Sequence, residues 1–136
     1  MIHFEIVTPE KVAYQDKIDS LTVDTTTGEI TILPNHMPLV SVLRAGEMTI
    51  RKGKEETTMA VAGGFVEVSP GSTVIIMADA AERAEEVDVV SAEEARKRAE
   101  QILAQKTETE DVADVKAALA HALARLKVAR RKRKQV

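Results

Sequence analysis

The chain has 136 residues, 44% of them apolar, with three aromatic side chains and no cysteine. This apolar content excludes a wholly disordered chain, the scarcity of aromatic rings argues against a base-stacking platform, and the missing thiols exclude disulfides and cysteine-based zinc sites. The formal net charge of −3 conceals an uneven distribution, because residues 1–81 carry −5, residues 82–114 carry −6 and residues 115–136 carry +8.

The first part of the chain is predicted to consist of short strands. All glycines and prolines lie between residues 9 and 71, and runs of β-branched residues alternate with them. The predicted strands span residues 3–8, 11–15, 19–25, 29–33, 39–43, 47–52, 57–62, 64–69 and 72–78. Their regular spacing favours an antiparallel sandwich or barrel, and the lack of helical periods between them argues against a parallel sheet. The Gly63-Gly64 pair is typical of a tight turn or bulge.

The second part is predicted to be two helices, since fifteen of the nineteen alanines come at or after Ala78. Ser91-Ala92-Glu93-Glu94 has the form of a capping box, which predicts that the first helix begins there and runs to about Gln105. Asp111 is the predicted cap of the second helix. The apolar stripe of that helix comprises Val112, Val115, Leu119, Ala122, Leu123, Leu126 and Ala129. Both stripes are narrow and rich in alanine, so we expect the two helices to be held only weakly.

The predicted fold class is therefore α+β. An N-terminal antiparallel β-sandwich occupies residues 1–84, and a C-terminal antiparallel helical hairpin occupies residues 85–136. No uncharged stretch is suited to span a bilayer, and the N-terminus lacks the features of a secretory signal, so a cytoplasmic protein is expected.

No catalytic centre or metal site is predicted. His3, His36 and His121 fall in three different elements, at no spacing typical of metal ligands. The sequence contains neither a Gly-x-Ser-x-Gly turn nor a phosphate-binding loop that ends in Gly-Lys-Ser or Gly-Lys-Thr. The chain is therefore not expected to be an enzyme on its own.

Two other features point to partners. Residues 34–38, Pro-Asn-His-Met-Pro, predict a rigid exposed turn, which is either a loop with a hydrogen-bonding His36 or a docking loop for another protein. The C-terminus carries seven basic residues within ten positions, namely Arg125, Lys127, Arg130, Arg131, Lys132, Arg133 and Lys134. Nucleic acid, anionic lipid and an acidic protein surface could each bind such a tail. The lack of aromatic residues and of a large apolar face in this tail argues against the first two.

Several stretches, in the same order along the chain, are similar to a known family. Residues 27–39, Thr-Gly-Glu-Ile-Thr-Ile-Leu-Pro-Asn-His-Met-Pro-Leu, resemble the Gly-Glu-x-x-x-x-Pro-x-His-x-Pro-Leu segment of the epsilon subunit of bacterial F-type ATP synthases. Residues 45–50 (Ala-Gly-Glu-Met-Thr-Ile), 63–68 (Gly-Gly-Phe-Val-Glu-Val) and 78–83 (Ala-Asp-Ala-Ala-Glu-Arg) match as well. The resemblance covers essentially the whole chain.

The resemblance implies a non-catalytic rotor subunit in the central stalk of a proton-driven ATP synthase. In that family the sandwich binds the gamma subunit and rests on the ring of c subunits, and Glu29 and His36 fall in the loops that face the ring. The hairpin inhibits ATP hydrolysis when it extends into the catalytic head, where the basic tail would meet an acidic loop of the beta subunits beside alpha. The resemblance places the protein peripherally on the cytoplasmic face of the cell membrane, without membrane insertion and without nucleic acid.

Some members of the family also bind ATP at the hairpin. Of their motif this chain keeps Asp88, with Arg98 and Arg125 as supporting arginines, whereas Ser91 and His121 replace two further arginines. Because phosphate recognition needs several cationic donors, we expect no required cofactor and a regulatory ATP that binds weakly or not at all. Asp88 could instead serve only to start the helix. A freestanding nucleotide-sensing or nucleic-acid-binding adaptor with a basic arm is the alternative function, which binding to gamma would distinguish.

Overall fold

The structure of the chain, a computed structural model, describes residues 1–105 and 112–135, with side chains as far as Arg131. The strands are β1 Ile2–Val7, β2 Val12–Ile18, β3 Ser20–Thr25, β4 Gly28–Ile32, β5 Leu39–Leu43, β6 Gly46–Lys52, β7 Glu55–Val61, β8 Gly64–Ser69, β9 Thr73–Ala78 and β10 Ala81–Arg83. A 3₁₀ turn at Ala84–Glu86 leads to α1 Val89–Gln105, and α2 is Ala113–Gln135.

The strands form a sandwich. They are hydrogen-bonded in the order β10-β7-β6-β3-β5-β8-β9-β1-β2, with β4 added to β3. The strands β3 and β5 share a single register pair, Thr25 with Leu43, so the ladder bends there and separates two layers. One layer is β10, β7, β6, β3 and β4, and the other is β5, β8, β9, β1 and β2. The predicted fold class, a sandwich followed by two packed helices, is confirmed.

The prediction of strand pairing is wrong at one place. β1 pairs parallel to β9, with Phe4 opposite Val74. These two strands are not joined by a helical crossover, since seven other strands lie between them in sequence. The prediction considered only strands that are consecutive in sequence, so it could not identify such a distant parallel pair. The short strand β10 is also absent from the sequence prediction. It pairs Ala81 with Val61 of β7 and leads the chain towards the helices.

The core of the sandwich is aliphatic, as its composition requires. Ile2, Phe4 and Ile6 of β1 alternate with exposed or half-buried neighbours and are buried. The ring of Phe4 contacts that of Tyr14 with 5.8 Å between centroids. Every residue of this core cluster lies between Ile2 and Ala81, so the sandwich buries its own apolar surface without help from the helices.

The Gly63-Gly64 pair is a turn of the predicted kind. Both glycines have positive φ, 62° and 131°. A Cβ atom on Gly64 would collide with the backbone carbonyl of Met77 on β9, so only glycine allows β8 to pair this closely at its first residue.

The predicted start of α1 is wrong by one turn. The helix begins at Val89, and the backbone N–H of Ser91 donates to Oδ1 of Asp88 at 3.1 Å. Asp88 and Ser91 are equally suitable as caps, but capping by Asp88 places Ser91 inside the first turn. Asp88 therefore has the helix-starting role that the sequence left open for it. The predicted cap Asp111 lies outside the described residues.

Candidate functional site

The helix α2 lies on the outer surface of one sandwich layer, against β6, β7 and the 3₁₀ turn. A small apolar cluster forms this contact, in which Ala124 and Val128 of α2 pack with Ala60 of β7 and with Ala84. Ala60 and Val128 are fully buried. Burial contributes roughly 0.8 kcal/mol per methyl or methylene group, so three alanines and one valine attach the helix only weakly.

Two ion pairs flank this cluster. Nε of Arg125 lies 2.8 Å from Oε1 of Glu82, and Nη2 of the same arginine donates to Oε2 at 3.3 Å. The Nε–H of Arg125 is not aligned on the carboxylate and has no hydrogen-bond acceptor in the described part of the chain, so the Nε contact is charge attraction only. Nε of Arg131 donates to Oε2 of Glu47 at 2.8 Å. Each pair joins α2 to the sandwich.

The opposite side of α2 carries a second buried face. Ala122, Leu126 and Ala129 are at most 7% exposed, and helical spacing places Ala122 and Leu126 away from the sandwich, towards α1. The sequence predicted a single stripe, which is wrong in two respects. Leu123 is 48% exposed, and the face that binds the sandwich was missed because α2 contributes few buried apolar residues to it.

His121 lies one turn before Arg125 on α2. Its Nε2 is buried and has no hydrogen-bond partner among the residues that the structure describes. Burial lowers the pKa of His121 below the ordinary value, the charge of Arg125 lowers it further, and Glu82 partly opposes both. The neutral imidazole is therefore the form that fits the docked helix.

A cavity of about 940 Å³ opens beside His121, between α2 and the sandwich. Its charged lining residues are Asp24, Arg44, Asp79 and Lys116. These carboxylates and cations balance each other in number, so the cavity has no strong preference for an anion.

The residues expected to bind ATP do not share a cavity. Asp88 caps α1, and Arg125 pairs with Glu82. Arg98 is exposed and lines a cavity of about 220 Å³ between the helices, whose lining also includes Asp114 but neither Asp88 nor Arg125. Their role in ATP binding stays a prediction.

The loop of residues 34–38 is anchored to a neighbouring turn. The backbone N–H of Asn35 donates to Oγ of Ser72 at 2.7 Å, and Oγ of Ser72 donates back to Oδ1 of Asn35 at 3.2 Å. Both residues have positive φ, 62° and 57°, a strained backbone that this reciprocal pair holds in place. The loop therefore presents a fixed surface, with Met37 78% exposed at its tip.

His36 and Glu29, the residues expected to face the ring, are not neighbours in one loop. The ring Nδ1 of His36 lies 2.8 Å from the carbonyl oxygen of Met37. Glu29 is exposed on β4, opposite Asp24, three residues before that strand ends at Ile32, whereas His36 lies in the loop beyond the strand. Their role towards a partner stays a prediction.

The outer surface of the other layer carries an apolar row that sequence reasoning missed. Val42 of β5 lies opposite Phe65 of β8, which lies opposite Met77 of β9. Their exposures are 45%, 48% and 45%, and Val40 on the same strand face is 69% exposed. The sequence contained a signal for this row, because β5 and β9 carry apolar residues on both faces of the strand and not on one face only. Contiguous exposed apolar side chains of this kind are typical of surfaces that bind a partner.

The basic tail continues α2. Arg125 and Arg131 bind carboxylates of the sandwich, whereas Lys127 and Arg130 are exposed and have no ion-pair partner within the part of the chain that the structure describes. The side chains of Lys132, Arg133 and Lys134 lie outside that part.

Sequence comparisons place this architecture in a family. Residues 1–84 match the profile of the beta-sandwich domain of the ATP synthase delta/epsilon chain, and residues 85–130 match the profile of its long alpha-helix domain. The chain belongs to the ATP synthase delta/epsilon family. An ATP synthase epsilon chain of Dehalococcoides mccartyi is 42% identical over 134 residues, which are 98% of this chain and 95% of the relative. One of Moorella thermoacetica is 45% identical over 129 residues, 94% and 96% of the two chains.

The fold recurs in solved ATP synthases. A chain in the Euglena gracilis mitochondrial ATP synthase, solved as OSCP, F1 and c-ring, has a TM-score of 0.74 at 21% identity and covers 94% of this chain and 80% of its own length. A chain in the Tetrahymena thermophila mitochondrial central stalk and c-ring has a TM-score of 0.59 at 20% identity, covering 96% and 95%. With the family match, the chain is an epsilon-type, non-catalytic subunit of an ATP synthase. Membership in this complex argues against the freestanding adaptor.

Two features are absent from residues 1–105 and 112–135, the part of the chain that the structure describes. No helix there has the length and apolar character needed to cross a bilayer. No cluster of three or more His, Cys, Asp or Glu side chains there could hold a metal ion.

We expect docking of α2 to weaken as the pH falls. Since the pKa of His121 is lower in the docked state than in the free helix, the stabilisation is complete above about pH 6.5 and is lost as the pH falls through the docked-state pKa. Spin labels on cysteines at exposed Lys11 and Leu123 would report the docked fraction between pH 5.5 and 7.5. His121→Gln should abolish the pH dependence and His36→Gln should keep it. An equal slope in both variants would contradict this role of His121.

Proposed function

We propose that the protein links the gamma subunit to the c-ring in the rotor of a proton-driven ATP synthase and inhibits ATP hydrolysis through a hairpin that can leave the sandwich. The observation that carries the proposal is the division between a self-sufficient sandwich and a weakly attached helix. The sandwich core needs no helical residue, and α2 is held by a cluster of three alanines and one valine with two ion pairs. Two arrangements that differ by a few kcal/mol are what a switch requires.

The apolar row Val42–Phe65–Met77 is proposed as the surface for gamma. Helix α2 covers the layer that contains β6 and β7, so this row lies on the layer that α2 leaves open. A central-stalk subunit must stay bound to its neighbour while the stalk rotates. A rigid sheet face that buries apolar side chains suits this requirement better than a mobile hairpin does. The protein would thus be peripheral, on the cytoplasmic face of the membrane.

The anchored loop of residues 34–38 is proposed to rest on the polar loops of the c-ring, with His36 in it and Glu29 at the other end of β4. The reciprocal Asn35–Ser72 hydrogen bonds support this role, because torque transfer needs a contact that does not yield.

Binding to the isolated gamma subunit tests whether the row Val42–Phe65–Met77 is the surface for gamma. We expect Phe65→Ser to weaken the complex about tenfold or more, since large apolar side chains at the centre of an interface dominate its affinity. Val12→Ser is the matched control, because Val12 is equally exposed, at 52%, but lies at the edge strand β2 away from the row. Calorimetric titration measures both. If neither substitution changes the affinity, gamma binds elsewhere.

Inhibition can be tested with the catalytic head lacking this subunit. We expect the full chain to inhibit ATP hydrolysis and a truncation that ends at Asp88 to bind without inhibiting, because the truncation keeps the sandwich core but lacks the hairpin. Steady-state ATP hydrolysis and co-sedimentation measure the two properties. Inhibition by both chains would assign the effect to the sandwich, and binding by neither would refute the rotor role.

For ATP we propose weak or absent binding, because Arg125 is engaged by Glu82 and two arginines are replaced. Calorimetric titration of the chain with ATP should show no affinity in the micromolar range. The double variant Ser91→Arg with His121→Arg should gain affinity, since a charged hydrogen bond contributes roughly 1.5–3 kcal/mol. A micromolar dissociation constant for the unaltered chain would contradict the proposal.

A further inference from the structure

Two glutamates and an alanine form a straight row across three strands under α2. Glu47 of β6 lies opposite Ala60 of β7, and Ala60 lies opposite Glu82 of β10. Directly opposed residues of antiparallel strands point to the same face of the sheet. This acidic row, Glu47–Ala60–Glu82, therefore presents one carboxylate on each side of a methyl group.

The helix matches the acidic row in spacing. Arg125 and Arg131 are six residues apart, which is about 9 Å along a helix axis. Glu47 and Glu82 are two strand spacings apart, about 9.6 Å. A helix that crosses the strands can thus bind both carboxylates at once, and the two ion pairs show that α2 does so.

The chemistry of the two surfaces is also complementary. Beside Arg125 and between the two arginines, α2 presents Ala124 and Val128, which pack with Ala60. A larger residue at position 60 would hold the helix away from the carboxylates. Both glutamates are mostly covered, with side chains 14% and 25% exposed, so their charges are screened less than those of surface pairs.

We propose that the acidic row is the binding site for α2 on the sandwich and that it competes for Arg125 and Arg131 with the acidic surface that the basic tail meets in the catalytic head. This inference rests on the inhibitory function proposed above. The row would then set how often the hairpin is available, and its carboxylates would restrain inhibition although they never touch the head.

The proposal gives acidic and basic substitutions opposite effects. Glu47→Gln removes a carboxylate that holds α2, so it frees the hairpin and strengthens inhibition. Arg130→Gln removes a tail charge that is not paired with any described residue, so it leaves docking unchanged and weakens inhibition. Arg131→Gln, one residue further, removes a charge of the same kind but also frees the hairpin. Arg130 is therefore the matched control for Arg131.

The first measurement uses the free full-length chain with spin labels at Lys11 and Leu123. Glu47→Gln and Arg131→Gln should each raise the ratio of undocked to docked hairpin about threefold or more, given the energy of a partly buried ion pair. Arg130→Gln should leave the ratio unchanged. The charge-swapped pair Glu47→Arg with Arg131→Glu should restore docking, which separates loss of the ion pair from misfolding.

The second measurement adds the same variants to the catalytic head and follows ATP hydrolysis. Glu47→Gln should lower residual hydrolysis below that with the unaltered chain, and Arg130→Gln should raise it. An unchanged docked fraction in Glu47→Gln would overturn the assignment of the acidic row. A freed hairpin with equal or weaker inhibition would overturn the competition. If the unaltered chain does not inhibit at all, the proposed inhibitory function fails, while the docking measurement still decides whether the row binds α2.

Discussion

The contact between α2 and the sandwich buries very little apolar surface, and the behaviour of the hairpin follows from this constraint. One valine and three alanines form the cluster, and alanine methyl groups let the helix approach the sheet closely without contributing much free energy. The two ion pairs then carry a large share of the attachment. Because charge attraction is weakened by ionic screening, by protonation and by competing charges, a helix held in this way is open to regulation.

The sandwich is built on the opposite principle. Its core of isoleucine, valine, leucine and methionine is complete without the helices, and the parallel pairing of β1 with β9 closes one layer by joining the start of the domain to its end. The close approach of Gly64 to Met77 fixes the start of β8 against β9, and the hydrogen bonds between Asn35 and Ser72 fix the loop of residues 34–38. A rigid sandwich with a weakly attached helix agrees with the rotor role proposed above.

The distribution of charge also distinguishes the helix α2 from the sandwich. The basic end of α2 meets acidic residues of its own sandwich, Glu47 and Glu82. The tail therefore has an intramolecular partner, and in the function proposed above its net effect depends on the difference between this interaction and the one with an acidic target elsewhere. His121 lies at the same contact, so in that proposal its protonation acts on the same equilibrium as the carboxylates do.

The sequence by itself determined the class of fold, the place where strands give way to helices and the family, because strand spacing, alanine content and contiguous motifs are local properties. It also determined that the C-terminus is basic. Only the tertiary structure decided what that basic helix binds, since Glu47, Ala60 and Glu82 are distant in sequence and become a row through strand register. The apolar row Val42–Phe65–Met77 also depends on strand register. The sequence offers two suitable caps for α1, Asp88 and Ser91, and only the structure shows that the helix begins directly after Asp88.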